Sequence, residues 1–146
     1  MTVRIKRVKL WRTEINNKPK LLASTLEPFA QNGVDLKVTM EYSLPHTPHR
    51  AVVEILTDES RRAVMAAKAA GFRLSPTPML LIEGDNRPGL AYLVANTIAG
   101  SGISIRFLSA QVVGERYSAL LGFQTNDEAK RAGALMRRIA SPKKTN

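Results

Sequence analysis

The sequence predicts an α+β chain of two tandem units, each ordered strand, helix, strand, strand, helix, strand. Three observations predict it. An ungapped shift of 69 residues places Glu14 on Glu83, Asn17 on Asn86, Pro19 on Pro88, Leu21 on Leu90, Ala30 on Ala99 and Gly33 on Gly102. Such a fixed period marks a repeated structural unit. Within each copy the apolar period switches between the two of a strand and the three to four of a helix. Finally, two strand-like segments stand next to each other in the middle of each copy, which makes a hairpin. The expected unit is therefore the ferredoxin-like βαββαβ arrangement, an antiparallel sheet with both helices on one face. The expected boundaries are 1–75 and 76–146, with Ser75-Pro76-Thr77-Pro78 as the joint.

In the first copy, residues 4–14 alternate basic and apolar side chains and read as one strand with an exposed face. Trp11 reads as core or interface filler rather than as a cofactor-stacking residue. Asn16-Asn17-Lys18-Pro19 makes a turn. Leu22, Thr25, Leu26 and Phe29 then take helical spacing up to Asn32-Gly33. Pro28 conflicts with that helix, because an interior proline removes a hydrogen bond and crowds the preceding turn. The second copy has Thr97 there. Val34, Leu36, Val38 and Met40 alternate along the next strand, Pro45 to His49 read as a loop, and Ala51 to Leu56 return. Asp58 is the expected cap of a helix with an alanine face at Ala63, Ala66, Ala67 and Ala70. Phe72-Arg73-Leu74-Ser75 can form a short fourth strand.

The second copy begins with the apolar run Met79 to Ile82. The turn Glu83 to Gly89 follows, then a helix with Leu90, Leu93, Val94 and Ile98 on one side. Pro88 is expected in the first helical turn, where its missing N–H costs nothing. Ile103, Ile105 and Phe107 alternate along a strand, Gly114-Glu115-Arg116 turns, and Tyr117 to Gln124 return. Asn126-Asp127-Glu128 starts the last helix. Pro142-Lys143-Lys144 stands where the first copy has its fourth strand, so the second unit is expected to lack one. Its sheet edge is then open, covered by the other unit, or completed by another chain.

Composition narrows the function. The 146 residues are 44% apolar and 5% aromatic, so the core is aliphatic. There is no cysteine, which excludes disulfides and thiolate metal sites and suits a reducing, cytoplasmic setting. No apolar run approaches the roughly 20 residues of a membrane helix. The formal charge is +10, from 22 Lys and Arg against 12 Asp and Glu, which admits anionic ligands or nucleic acid. No nucleophile with a base beside it, no P-loop and no cofactor motif is present. His46 and His49 read as loop histidines without a third metal ligand nearby. The acidic pairs Asp58-Glu59 and Asp127-Glu128 read as helix-start charges.

The turn Asn86-Arg87-Pro88-Gly89-Leu90 is the stretch with binding chemistry. N–H groups of Gly89 and Leu90 at a helix start can hold a carboxylate, and the Asn86 carboxamide can accept from an ammonium. The plainer alternative is that Asn86 caps the helix and Pro88-Gly89 only shape the turn. That turn, followed after one helix by Ser101-Gly102-Ile103-Ser104-Ile105, resembles the ACT domain family, and the resemblance extends to both copies. It implies a non-catalytic sensor of a small molecule, usually an amino acid, that acts through a metabolic enzyme or regulator. It also implies side-by-side pairing, with the effector at an inter-domain or inter-subunit interface near the turn. The candidate contacts so implied are Asn86, Arg87, Gly89, Leu90 and Ser104, with Asn17 and Asp35 in the first copy. Ser104 stands where the family often has Asn, and Lys20 replaces the glycine in the first copy. Two other readings remain. One is a basic nucleic-acid-binding protein, against which stands the lack of aromatics on the central strands. The other is a pure dimerisation scaffold.

Overall fold

The computed structural model describes residues 3–140. It divides into two compact units. One is Lys9–Pro76, and the other joins the stretch ending at Val8 to the stretch starting at Thr77.

The unit of residues 9–76 contains β2 (Trp11–Asn16), α1 (Leu21–Gln31), β3 (Leu36–Leu44), β4 (Thr47–Thr57), α2 (Arg61–Ala69) and β5 (Arg73–Leu74). Its sheet runs β3-β4-β2-β5, all antiparallel. Trp11, Phe29, Val53, Ile55, Phe72 and Ala63, Ala66 and Ala67 of α2 form its core. The Phe29 and Phe72 rings meet edge to face at 5.3 Å and 84°.

The other unit contains β1 (Val3–Val8), β6 (Met79–Asp85), α3 (Leu90–Ala99), β7 (Phe107–Val113), β8 (Arg116–Gly122) and α4 (Asn126–Ala140). Its sheet runs β1-β6-β8-β7, again antiparallel. Leu80, Ile82, Val94, Ile98, Leu121, Phe123 and Met136 form its core.

The alternation over residues 4–14 is thus not one strand but two. β1 and β2 lie in different sheets, and the chain passes between them at Lys9-Leu10. An alternating pattern reports faces, not partners, so it could not show that break. The expected first unit, 1–75, loses its opening strand to the second. β1 takes the sheet position that a fourth strand would fill, from Val3 opposite Gly84 to Val8 opposite Met79. Arg7 strengthens the attachment by donating to Asn126 Oδ1 at 2.9 Å. Pro142 to Lys144, the segment expected to be non-strand, lies outside the described residues.

The repeat is real but its offset is not constant. Leu80 pairs with Leu121 where Trp11 pairs with Ile55, so the last strand of the hairpin follows an offset of 66, not 69. The cause lies in β4. Ser43 stands opposite Ala51 but Leu44 opposite Thr47, so Pro48, His49 and Arg50 are taken up in an irregularity. A proline is tolerated at such a bulge because no ladder bond is asked of it. What read as a loop over 45–49 is therefore a tight turn at Pro45-His46, with His46 at φ 63°, followed by strand.

Other boundaries also move. Ile103 to Ile105 are not yet strand; β7 starts at Phe107. α1 runs through Pro28 to Gln31. The cap of α2 is Ser60, whose Oγ accepts the Ala63 N–H at 3.1 Å, rather than Asp58. Thr125 serves α4 in the same way, accepting the Glu128 N–H at 3.1 Å. Among the described residues, no helix is long and apolar enough to cross a membrane.

Candidate functional site

β6 delivers the chain to the turn. Its last residue, Asp85, faces Arg116 across the sheet, and their side chains form an exposed ion pair at 2.8 Å. The Asn86 N–H then donates to Glu115 O at 2.8 Å, which ties the turn to the hairpin tip. The Leu90 N–H donates to Arg87 O at 3.3 Å, and Gly89 has φ 84° and ψ 0°. That is a type II turn with Pro88 and Gly89 as its two central residues. Pro88 therefore precedes α3 rather than occupying its first turn, and Gly89 is the N-cap. Glycine is favoured because this conformation brings a Cβ close to the next carbonyl.

Two expectations about donors change. Leu90 N–H closes the turn, and the Leu90 side chain is buried in the core. Asn86 does not cap the helix; no side chain does. The N–H groups of Ala91 and Tyr92, the next two in the first turn, are the donors left facing outward. The Asn86 carboxamide and the Arg87 guanidinium are exposed, with no hydrogen-bond or ion-pair partner among the described residues. The turn thus presents an uncapped helix N-terminus, a cation and an amide on one surface, which favours an anionic group.

Ser104 is exposed but is not beside this turn. The row Met79–Gly122–Phe107 marks one end of the sheet, and Asp85–Arg116–Val113 the other. Asn86 follows the second row and Ser104 precedes the first. They stand at opposite ends of α3, whose 10 residues span about 15 Å. One unit does not bring them together.

The first copy repeats the turn with different chemistry. Leu21 N–H donates to Lys18 O at 3.3 Å, and Lys20 adopts φ 69° and ψ −15°. This is the same type II turn with lysine in the glycine position. Asn17 is occupied: its N–H donates to His49 O at 2.7 Å, and its Nδ2 donates to Pro48 O at 3.3 Å and Ser43 Oγ at 3.4 Å. The bulge of β4 consumes the polar groups that the other turn leaves exposed. Asp35 lies at the far end of α1, where its main chain is held, the N–H donating to Asp58 Oδ2 at 3.0 Å and the carbonyl accepting from Asp58 N–H at 3.1 Å, while its side chain is exposed.

One polar group escaped the reading of the sequence. Tyr117 on β8 is 4% exposed, and its hydroxyl is buried without a partner. Burial pushes this phenol's pKa up, so it stays a neutral donor. The available signal was Gly84, a glycine inside a strand, which marks a bulge or a close approach.

No family model matches the chain, and no curated protein matches it. Solved structures do. A Bacteroides thetaiotaomicron protein superposes with TM-score 0.75 at 15% identity, over 91% of this chain and 90% of that one. The ligand-free regulatory subunit of aspartate kinase from Thermus thermophilus gives 0.61 at 14% identity, over 93% and 95% of the two chains. The corresponding subunit from Thermus flavus gives 0.59 at 15%, over 97% and 98%. At these identities it is the fold alone that is shared: the chain has the same tandem fold as these structures, two ferredoxin-like units.

Proposed function

We propose that the chain is a non-catalytic regulatory module that binds a small effector, an amino acid, through the turn Asn86 to Gly89. The observation that carries this is the uncapped start of α3 with exposed Asn86 and Arg87 beside it. The effector carboxylate lies against the Ala91 and Tyr92 N–H groups and Arg87, and its ammonium donates to the Asn86 carbonyl oxygen. The residues Gly102 to Ile105 complete the site from a second copy, because within one unit they lie at the far end of α3. Two features support pairing between copies. β7 is a sheet edge with unpaired backbone, and its Leu108, Val112 and Val113 are exposed. The likeness to regulatory subunits of aspartate kinase supports a metabolic enzyme or a regulator as the partner. The first-copy turn, with Asn17 engaged and Lys20 in place of glycine, serves the fold and leaves effector binding to the second.

A thermal-shift series with the twenty amino acids tests this. A ligand that binds the native state raises the melting temperature. At least one amino acid is expected to raise it, and Asn86→Ala or Arg87→Ala to remove most of the rise. No shift with any amino acid, together with steeply salt-dependent binding to RNA or DNA, would replace this reading with the nucleic-acid one.

A further inference from the structure

In the unit of residues 9–76 the sheet edge beside β2 is only partly covered. β5 has two residues and pairs with Trp11 and Arg12 alone. The other unit fills the equivalent position: the six residues of β1 pair with β6 from Met79 to Gly84. On the shift of 69, Glu14 corresponds to Glu83, which faces Arg4. Opposite Glu14 itself there is no strand. The chain joins that line only at Arg73, after Gly71 (φ 83°) and after Phe72, whose N–H donates to Ala67 O at 2.9 Å at the end of α2.

Leu10 O accepts the Ser75 N–H at 2.7 Å on the β5 side of β2, and the Asn17 N–H donates to His49 O at 2.7 Å on the β4 side. Successive residues of a strand direct their backbone groups to opposite edges, so Glu14 and Asn16 direct theirs to the open one. Asn16 O accepts the Lys18 N–H at 2.9 Å. The Glu14 N–H, the Glu14 carbonyl and the Asn16 N–H are left without a partner among the described residues. A cleft lies on each face of this edge. One, of about 390 Å³, is under α1 and is lined by Ile15, Ser24, Thr25 and Pro28. The other, of about 340 Å³, is lined by Arg12, Glu14, Gly71 and Arg73. Arg12 and Arg73 stand directly opposite each other, a like-charge pairing that disfavours the sheet. Glu14 neutralises Arg12 at 3.2 Å and also reaches Arg50 at 3.7 Å. Arg73 has no partner among the described residues.

We propose that this edge binds the carboxyl-terminal segment of a partner polypeptide as an added strand, antiparallel to β2 and in line with β5. A strand in that line ends against Arg73. Its last residue stands opposite Glu14. Its N–H donates to the Glu14 carbonyl, one carboxylate oxygen accepts the Glu14 N–H, and the other accepts from the Arg73 guanidinium. The preceding residue stands opposite Ile15 and places an aliphatic side chain in the cleft under α1. The residue before that accepts the Asn16 N–H through its carbonyl. An internal segment of a partner fits less well, because Phe72 and Arg73 stand across its continuation and Arg73 would gain no counter-charge. The site does not depend on effector binding at the turn Asn86 to Gly89.

The test is an amide NMR titration of the whole chain with the peptide acetyl-Thr-Thr-Val-Ala bearing a free carboxylate, with the same peptide as its carboxyl-terminal amide, and with acetate. Saturable shifts are expected at the amides of Glu14, Asn16 and Thr25 with the free acid. The amide should bind about tenfold more weakly, the worth of one hydrogen bond to a charged group, and acetate more weakly still. Arg73→Gln should weaken the free acid about tenfold and leave the amide unchanged. Glu14→Pro removes the outward N–H at an edge position where proline is tolerated, and should abolish binding. Each variant's own amide spectrum reports whether it is folded. Absence of saturable shifts at these amides in the wild-type chain overturns the proposal, even if neither variant folds. Equal binding of acid and amide, acetate binding as tightly as the peptide, or undiminished binding of the acid by folded Arg73→Gln overturns it as well.

Discussion

Lys20 and Gly89 occupy the same position of the same turn, at φ 69° and 84°. Only one of them is suited to it. A left-handed conformation costs a residue with a Cβ about 1–2 kcal/mol, and Lys20, at φ 69°, bears that cost. Lys20→Gly should therefore stabilise its unit by about 1 kcal/mol, read as a higher denaturant midpoint with unchanged slope. Gly89→Ala should do the reverse, by about 1–2 kcal/mol, although nothing lies within 4 Å of where its Cβ would stand. The space around Gly89 is open, so the loss would come from backbone conformation alone. This is why Asn86→Ala and Arg87→Ala are the cleaner probes of effector binding: they remove side chains without disturbing the turn. The turn itself was legible as Pro-Gly after an apolar run. What was not legible was which N–H groups it leaves over, because that depends on Leu90 N–H bonding back to Arg87.

At the scale of elements, helix starts were placed within a few residues and their caps were misassigned. Asp58 was the expected cap of α2; it instead stands two residues ahead of the cap and holds it. Its Oδ1 accepts the Ser60 N–H at 2.9 Å and its Oδ2 the Asp35 N–H at 3.0 Å. The Ser60 side chain, these backbone donors and Arg62 lower its pKa from 3.8 to about 2. A lowered carboxylate pKa contributes stability that is complete above the unfolded value and is lost as pH falls through the folded one. Stability should thus fall between about pH 4 and pH 2 as Asp58 takes up its proton. Asp58→Asn, with one acceptor oxygen in place of two, should weaken the unit at neutral pH and flatten that acid limb; urea unfolding across this range measures both. Spacing revealed an acidic residue near a helix start, but Asp, Ser and Thr all serve as caps. The three extra residues in β4 then shifted the alignment that had matched Asp58 to Asp127.

At the scale of the whole chain, the covalent order and the compact units disagree, and β1 is where they part. Both copies were visible as one repeated pattern. That β1 fills the fourth-strand position of the second sheet was not visible, because strand pairing between Val3–Val8 and Met79–Asp85 joins segments more than 70 residues apart. β1 pairs with β6 along its whole length, Val8 is buried, and Val3 and Ile5 pack against the core of that unit. Burying an aliphatic side chain contributes about 1.5–3 kcal/mol when complete. Removing residues 1–8 should therefore destabilise that unit by roughly 3–5 kcal/mol and leave β6 with an unpaired edge. The other unit loses no strand, since its elements run from Trp11 to Leu74. Hydrogen exchange on the truncated chain should show amide protection lost in β6, β8 and α4 and kept in β2, β4 and α2. A chain that instead lost protection evenly in both units would mean that β1 supports the whole molecule, and the division at Val8 would have no energetic content. If the expected pattern is found, the first eight residues act on the turn Asn86 to Gly89 through β6, the strand that ends at Asp85 and presents Asn86. A ligand response that survives the loss of β1 would then be limited to groups that the turn holds without help from its sheet, namely the type II turn and the first N–H groups of α3.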